Sequence, residues 1–238
     1  MKEEIIGNQI LILGDSRDVV PTLTGIDVVL TDPPYGIDGG RGGNARLYKK
    51  GKYEPENWED TRAYIETIVV PIVQQCRMFT RMALTPGLRC MYVYPEPDDI
   101  GCFYAPAAVG RGPWGFCNFN PILYYGRDFR AGIGAWPTSK QVTEIADKNG
   151  HPCPKPIGAW TWLLEKVALP TDTVLDPFMG SGTTLVACEN TGRHGTGVEI
   201  EPKFFDIACR EVEKATQQPQ LIITVPPQNV SMFDEGEE

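Results

Sequence analysis

One pattern between Thr173 and Glu199 restricts the fold of this chain more than any other feature of its sequence. Thr173 to Leu175 is a short apolar run of the kind that forms a buried parallel strand. It leads into Asp176-Pro177-Phe178-Met179-Gly180-Ser181-Gly182-Thr183-Thr184, with a helix predicted from about Thr183 to Asn190. A second strand, Gly-Thr-Gly-Val-Glu-Ile, follows, and a further helix begins at Pro202. Strand, glycine turn, helix and a strand ending in an acid make a nucleotide-binding βαβ unit. Gly180 and Gly182 let the backbone turn sharply and approach a ligand, while the next helix aims its N-terminal amides there. Glu199 stands 17 residues beyond Gly182, where a carboxylate can accept hydrogen bonds from both ribose hydroxyls. The turn after Asp176 has neither a P-loop lysine nor a full G-x-G-x-x-G, so a ligand with a ribose and a carboxylate fits better there than a pyrophosphate. A tight turn that binds nothing is the alternative.

A second motif, Asp32-Pro33-Pro34-Tyr35-Gly36, directly follows the apolar run Ile26 to Thr31. Two successive prolines fix φ and remove two backbone donors while leaving their carbonyls as acceptors. The amino group of an aromatic base has a delocalised lone pair and is a poor nucleophile. Asp32 and the carbonyl of Pro33 can both accept its N–H bonds, holding the nitrogen nearer tetrahedral with its lone pair outward. Tyr35 can stack on the base and fix its plane. The bland alternative is a rigid turn at a strand end.

Elsewhere, Ile10 to Leu13 reads as a first strand, and the two acids before it argue against a signal peptide. A long Gly-, Arg- and Lys-containing loop is expected from about Gly36 to Trp58. Thr61 to Phe79 has apolar residues at helical spacing, with Pro71 predicting a kink or break. Arg89–Tyr94 and Pro121–Tyr125 read as strands, and a short helix is predicted from Trp136 to Lys148. The stretch between Pro95 and Asn120, rich in Pro, Gly and aromatics, carries no assignable pattern. Ile157, Trp160, Leu164 and Val167 fall on one helical stripe.

A length of 238 residues suits one sizeable α/β domain, here residues 1–233, followed by an acidic tail at 234–238. No run approaches the ~18 apolar residues of a membrane span. Seven scattered cysteines without a CxxC suggest neither disulfides nor zinc, and a reducing cytoplasm is the expected location. The net charge of −9 argues mildly against nucleic acid as a partner. Its distribution is uneven, however. Arg41, Arg46, Lys49, Lys50 and Lys52 are opposed only by Asp32 and Asp38 in that stretch. The first four of these cations are candidate contacts to phosphates or base edges, with a solvated basic loop as the alternative.

Together the two motifs resemble those of the DNA amino-methyltransferases, which make N6-methyladenine or N4-methylcytosine. The order, D-P-P-Y early and D-P-F-M-G-S-G-T-T late, is that of the β group. His151-Pro152-Cys153-Pro154-Lys155-Pro156 looks like the family's H-P-x-x-K-P signature, and Gly14-Asp15-Ser16 like its G-D-x segment. The resemblance implies a Rossmann-like, mostly parallel seven-stranded sheet with one antiparallel strand and helices on both faces. It implies S-adenosylmethionine as cofactor and double-stranded DNA as partner, with the target base rotated out of the helix. The implied catalytic residues are Asp32, Pro33, Pro34 and Tyr35. The implied cofactor residues are Asp15 and Ser16, Lys155 near the methionine carboxylate, and Asp176, Pro177, Phe178, Gly180, Ser181, Gly182, Thr183 and Glu199. Asp15 as a simple helix cap remains the alternative for that residue.

Direct transfer needs no covalent enzyme intermediate and no metal. In the family the chain resembles, Asp in the first motif position goes more often with adenine N6 and Ser with cytosine N4, so the resemblance implies adenine N6. Methylation of RNA or a protein amide, and a non-catalytic nucleic-acid-binding subunit, are the competing functions. Only about 22 residues separate Asp128 from His151, less than the recognition segment of many members. Sequence readout is therefore expected from the loop at 36–58, from 95–120, or from a second subunit or second copy of the chain.

Overall fold

The computed structural model describes residues 1–36, 59–106, 110–112, 114–128, 136–147, 149–151 and 153–218. Arg41, Arg46, Lys49, Lys50 and the acidic tail lie outside the described residues. No helix among those described is long and apolar enough to cross a membrane.

The chain opens with an antiparallel hairpin, β1 (Lys2–Ile6) and β2 (Gln9–Leu13), where the sequence suggested one strand. A one-turn helix α1 (Ser16–Val19) and strand β3 (Val28–Thr31) follow. The predicted helix over 61–79 is continuous but irregular. It consists of α2 (Arg62–Tyr64), a π-helical turn at Ile65–Val69, and α3 (Val70–Cys76). Pro71 has no N–H to give and its ring crowds the preceding turn, so the helix widens just before it.

The middle of the chain departs from expectation. Arg89–Tyr94 is not a strand. The strand is β4 (Arg81–Leu84), and α4 (Gly87–Cys90) with a 3-10 turn at Met91–Val93 comes after it. Cys90 and Tyr94 are both buried, four residues apart, and this tertiary packing overrides the alternating look of the segment. The unassigned stretch supplies β5 (Asp99–Tyr104), β6 (Gly110–Gly112) and β7 (Gly115–Cys117), and β8 (Phe119–Tyr125) lies where a strand was expected. No helix forms between Trp136 and Asp147. A two-residue strand β9 (Lys140–Gln141) is added to the edge of β5 instead, held by Val142 N–H to the Tyr104 carbonyl (2.7 Å).

The last third follows the predicted order: α5 (Ile157–Val167), β10 (Thr173–Asp176), α6 (Thr183–Asn190), β11 (His194–Glu199) and α7 (Pro202–Thr216). The main sheet has the order β1-β2-β11-β10-β3-β4-β8-β5-β9 among the described residues. Its inner seven strands are parallel except for β8, and β1 and β9 are additional edges. This is the Rossmann-like arrangement expected, two strands wider. The period-2 alternation sends Val29, Met82, Leu84, Leu123 and Leu175 toward the helices of residues 62–76. Val28, Leu30, Ala83, Ile122 and Val174 face α5 and α6, and Leu11 faces α7.

The position of the site follows from this topology. From β3 the chain winds outward to β4, whereas from β10 it winds the other way to β11. The switch point of the sheet therefore lies between β3 and β10, which are hydrogen-bonded neighbours paired Val28 with Val174 and Val29 with Leu175. In open α/β sheets ligands bind outside the carboxyl ends of the strands at such a point.

Candidate active site

Asp32 follows the last residue of β3 and Asp176 is the last residue of β10, so parallel pairing sets the two motifs side by side. A buried hydrogen bond ties them together: the Thr31 hydroxyl donates to Asp176 Oδ1 at 2.6 Å. Ser16 joins from the end of β2, its hydroxyl donating to the Pro177 carbonyl. Gly14 N–H donates to the Glu199 carbonyl at 2.9 Å. Four separated stretches of sequence thus meet at one edge of the sheet.

Between them is a small open cleft. Its lining includes Asp32, His151, Lys155, Phe178, Ser181 and Thr183. Asp32 Oδ1 accepts from the Tyr35 hydroxyl (2.7 Å) and from the Thr85 hydroxyl. Its Oδ2 is ion-paired with the ammonium of Lys155. Lys155 also lies 5.0 Å from the centre of the Tyr35 ring. The other support of that ring is Gly87, at φ +67, where a Cβ would stand 2.7 Å from Tyr35 Cγ. Asn120 of β8 donates to the Tyr35 hydroxyl at 2.9 Å. Burial and the neighbouring Asp32 push the Tyr35 phenol up to about 12, so it is a donor at neutral pH. Burial alone would lower the Lys155 ammonium, but Asp32 and Tyr35 outweigh it and its net shift is upward. Lys155 is a cation there at any working pH.

The glycine loop uses its own amides internally. Phe178 N–H donates to Asp176 Oδ1, Met179 N–H to the Val198 carbonyl, Gly180 N–H to Glu199 Oε2 and Gly182 N–H to the Met179 carbonyl. These four donors are not free to cradle a phosphate. Gly182, at φ +81, lets α6 approach α7 closely; a Cβ there would lie 3.0 Å from that of Ala208. Glu199 also accepts from the Glu201 N–H at 2.8 Å. Burial nevertheless raises its carboxyl to about 8. Asp176 is raised by burial to about 6, against the opposing pull of hydrogen bonds from Thr184 and Thr31.

Three of the expected cofactor residues have protein partners of their own. Asp15 caps α1, its side chain accepting the Arg17 N–H at 2.9 Å and pairing with the Arg17 guanidinium, which lowers its carboxyl. Asp176 is 2% exposed with both oxygens taken by threonine hydroxyls, so it secures the loop. Lys155 stands on Asp32 and Tyr35. No local motif marks Thr31, Thr85 or Asn120, which only strand pairing brings in, and Thr184, though within the glycine-turn motif, gains its role from the packing of α6 against β10. His151, stacked edge-on to Phe204 at 4.6 Å, stays neutral: burial and the nearby Lys155 hold it down to about 4.

Residues 129–210, about a third of the chain, match the family model N6_N4_Mtase, described as DNA methylase. The type II methyltransferase M2.DpnII of Streptococcus pneumoniae is 38% identical over 79 residues, 32% of this chain and 27% of that protein. The type II methyltransferase M.HindIII of Haemophilus influenzae is 28% identical over 123 residues, 40% of each. The chain therefore spans well under half the length of these curated relatives. In fold it is similar to the crystal structure of an M1.HpyAVI–SAM complex, with TM-score 0.60 and 18% identity over 85% of this chain and 98% of that one. It is also similar to the cytosine-N4-specific PvuII DNA methyltransferase, with TM-score 0.62 and 16% identity over 89% and 91%. The fold is thus the Rossmann-like fold of these methyltransferases.

Proposed function

We propose that this chain, similar to the N6/N4 DNA methylases, transfers a methyl group from S-adenosylmethionine to the exocyclic amino group of a DNA base, adenine N6 in the first instance. The observation that carries the proposal is the meeting of the Asp32 turn and the Asp176 loop across β3 and β10, with one cleft between them.

The residues present fit that cofactor. Four of the loop amides, those of Phe178, Met179, Gly180 and Gly182, are spent internally, which disfavours a pyrophosphate ligand. Glu199, with each oxygen accepting one backbone N–H, keeps lone pairs for ribose hydroxyls. Lys155 supplies the cation for a carboxylate, and Phe178 and Met179 supply apolar surface in the cleft. When bound, the cofactor supplies a sulfonium-activated methyl group, so the protein's work is to orient and polarise the acceptor. Asp32 accepts an N–H of the incoming amine, and the Pro33 carbonyl, which has no neighbouring backbone donor from Pro34, accepts the other. Tyr35 and Thr85 hold the Asp32 carboxylate in one orientation, and Asn120 holds Tyr35. The proton released as the nitrogen gains positive charge has Asp32 as its nearest acceptor. Arg41, Arg46, Lys49 and Lys50 are proposed to contact DNA phosphates.

The preference for adenine rests on Asp, not Ser, at position 32. Incubation with methyl-tritiated cofactor and DNA, RNA or protein, followed by nucleoside mass spectrometry, tests the reading. N6-methyladenine is the expected product and N4-methylcytosine would correct the base; label in RNA or protein only, or in nothing, would refute it.

A further inference from the structure

Lys155 occupies both groups that the proposed reaction presents to the base. Its ammonium is ion-paired with Asp32 Oδ2 and sits over the ring of Tyr35, and the two paired side chains are only 18% and 22% exposed. Lys155 also lines the same cleft as Ser181, Thr183 and Phe178 of the glycine loop, and among the described lining residues it is the one lysine or arginine. A carboxylate entering that cleft finds this ammonium already engaged by an acid. In a half-buried site of low dielectric, one ammonium cannot satisfy two carboxylates as well as it satisfies one.

We propose that Lys155 is shared between the two halves of the site, so that Asp32 competes with the carboxylate of the cofactor for its ammonium. This rests on the function proposed above and adds a coupling that the motifs alone do not imply. Two consequences follow from thermodynamic reciprocity. The charge on Asp32 weakens binding of a carboxylate-bearing nucleoside. Conversely, such a nucleoside draws Lys155 from Asp32 and Tyr35, uncovering an oxygen and a ring face for the amine and its base. Cofactor binding would then prepare the acceptor side.

The pair of probes is S-adenosylhomocysteine, which carries the amino acid group, and 5′-methylthioadenosine, which lacks it. Calorimetric titration of the wild type, Asp32→Asn, Lys155→Met and the double variant reads the coupling without catalysis. Asp32→Asn is expected to tighten S-adenosylhomocysteine roughly tenfold while leaving 5′-methylthioadenosine within about twofold. Lys155→Met is expected to bring the two ligands to similar affinity and to abolish the effect of Asp32→Asn. Lys155→Arg, which keeps the charge, should retain part of the preference and serves if the methionine variant unfolds. Equal changes for both ligands in Asp32→Asn, or an undiminished effect of Asp32→Asn in the Lys155→Met background, would overturn the sharing. Failure of the wild type to bind either nucleoside would instead overturn the cofactor assignment on which the sharing rests.

Discussion

Two Asp-Pro steps end neighbouring parallel strands of this sheet, and the protein treats them in opposite ways. Asp176 is 2% exposed, accepts hydroxyls from Thr31 and Thr184 on its two oxygens, and points its hydrogen bonds into the fold. Asp32 opens on the cleft and is neutralised by Lys155. The same dipeptide at the same structural station is a pin in one case and, in the proposed reaction, a polarising group in the other. Neighbours decide which: at Asp176 threonines take both oxygens, whereas at Asp32 the hydroxyls of Tyr35 and Thr85 share one oxygen and a lysine on a flexible stem holds the other by an exchangeable contact.

The comparison can be broken first at Asp32. Asp32→Asn is expected to lower methyl transfer by roughly a hundred- to ten-thousand-fold. Its unfolding midpoint should move less than that of Asp176→Ala. Tritium transfer and thermal melting measure the two effects, and near-normal turnover would remove Asp32 from the chemistry. The converse change, Asp176→Ala, strips two threonine hydroxyls and the Phe178 N–H of their acceptor. Denaturant unfolding should show a loss of about 2–4 kcal/mol.

The third buried acid, Glu199, sharpens the contrast through pH. Its carboxyl is raised to about 8 from a usual value near 4.5, so the folded protein binds a proton that the unfolded chain has released across that interval. The stability it contributes is present below about pH 4.5 and is lost as pH rises toward 8. Glu199→Gln should flatten the fall in melting temperature over that range, an effect on the order of a few kcal/mol. A parallel pair of pH curves would show that Glu199 does not carry the dependence. The smallest effect belongs to Asp15, whose partner Arg17 is largely exposed. Arg17→Ala should cost less than about 1 kcal/mol by denaturant unfolding, and salt should diminish the difference.

Legibility along the chain divides at about residue 150. From Ile157 to Thr216 every helix and strand lies where periodicity and the glycine turn put it, and the family match, residues 129–210, covers most of that stretch. These are βαβ units, in which each element's signal is local: a buried apolar run, a turn, a helical stripe. Between Arg81 and Asp147 the strand expected at Arg89–Tyr94 and the helix expected from Trp136 do not form, and β4 (Arg81–Leu84) lies where no strand is expected. There the strands are joined at the edge of the sheet by antiparallel and two-residue pairings, whose stability comes from the partner strand.

By itself, the sequence determined the two motifs, their order, the Rossmann-like sheet and the residue types that suit a methyl donor and an amine acceptor. Those properties are local because φ restrictions, glycine freedom and apolar period are set by neighbours in the chain. Only the tertiary structure decided that Thr31 links the two turns, that Thr85 and Asn120 orient Asp32 and Tyr35, that Asp15 turns to Arg17, and that Lys155 faces the acid. Hydrogen bonds and ion pairs act over a few ångströms in space and are indifferent to the tens of residues between their partners, so no spacing along the chain announces them.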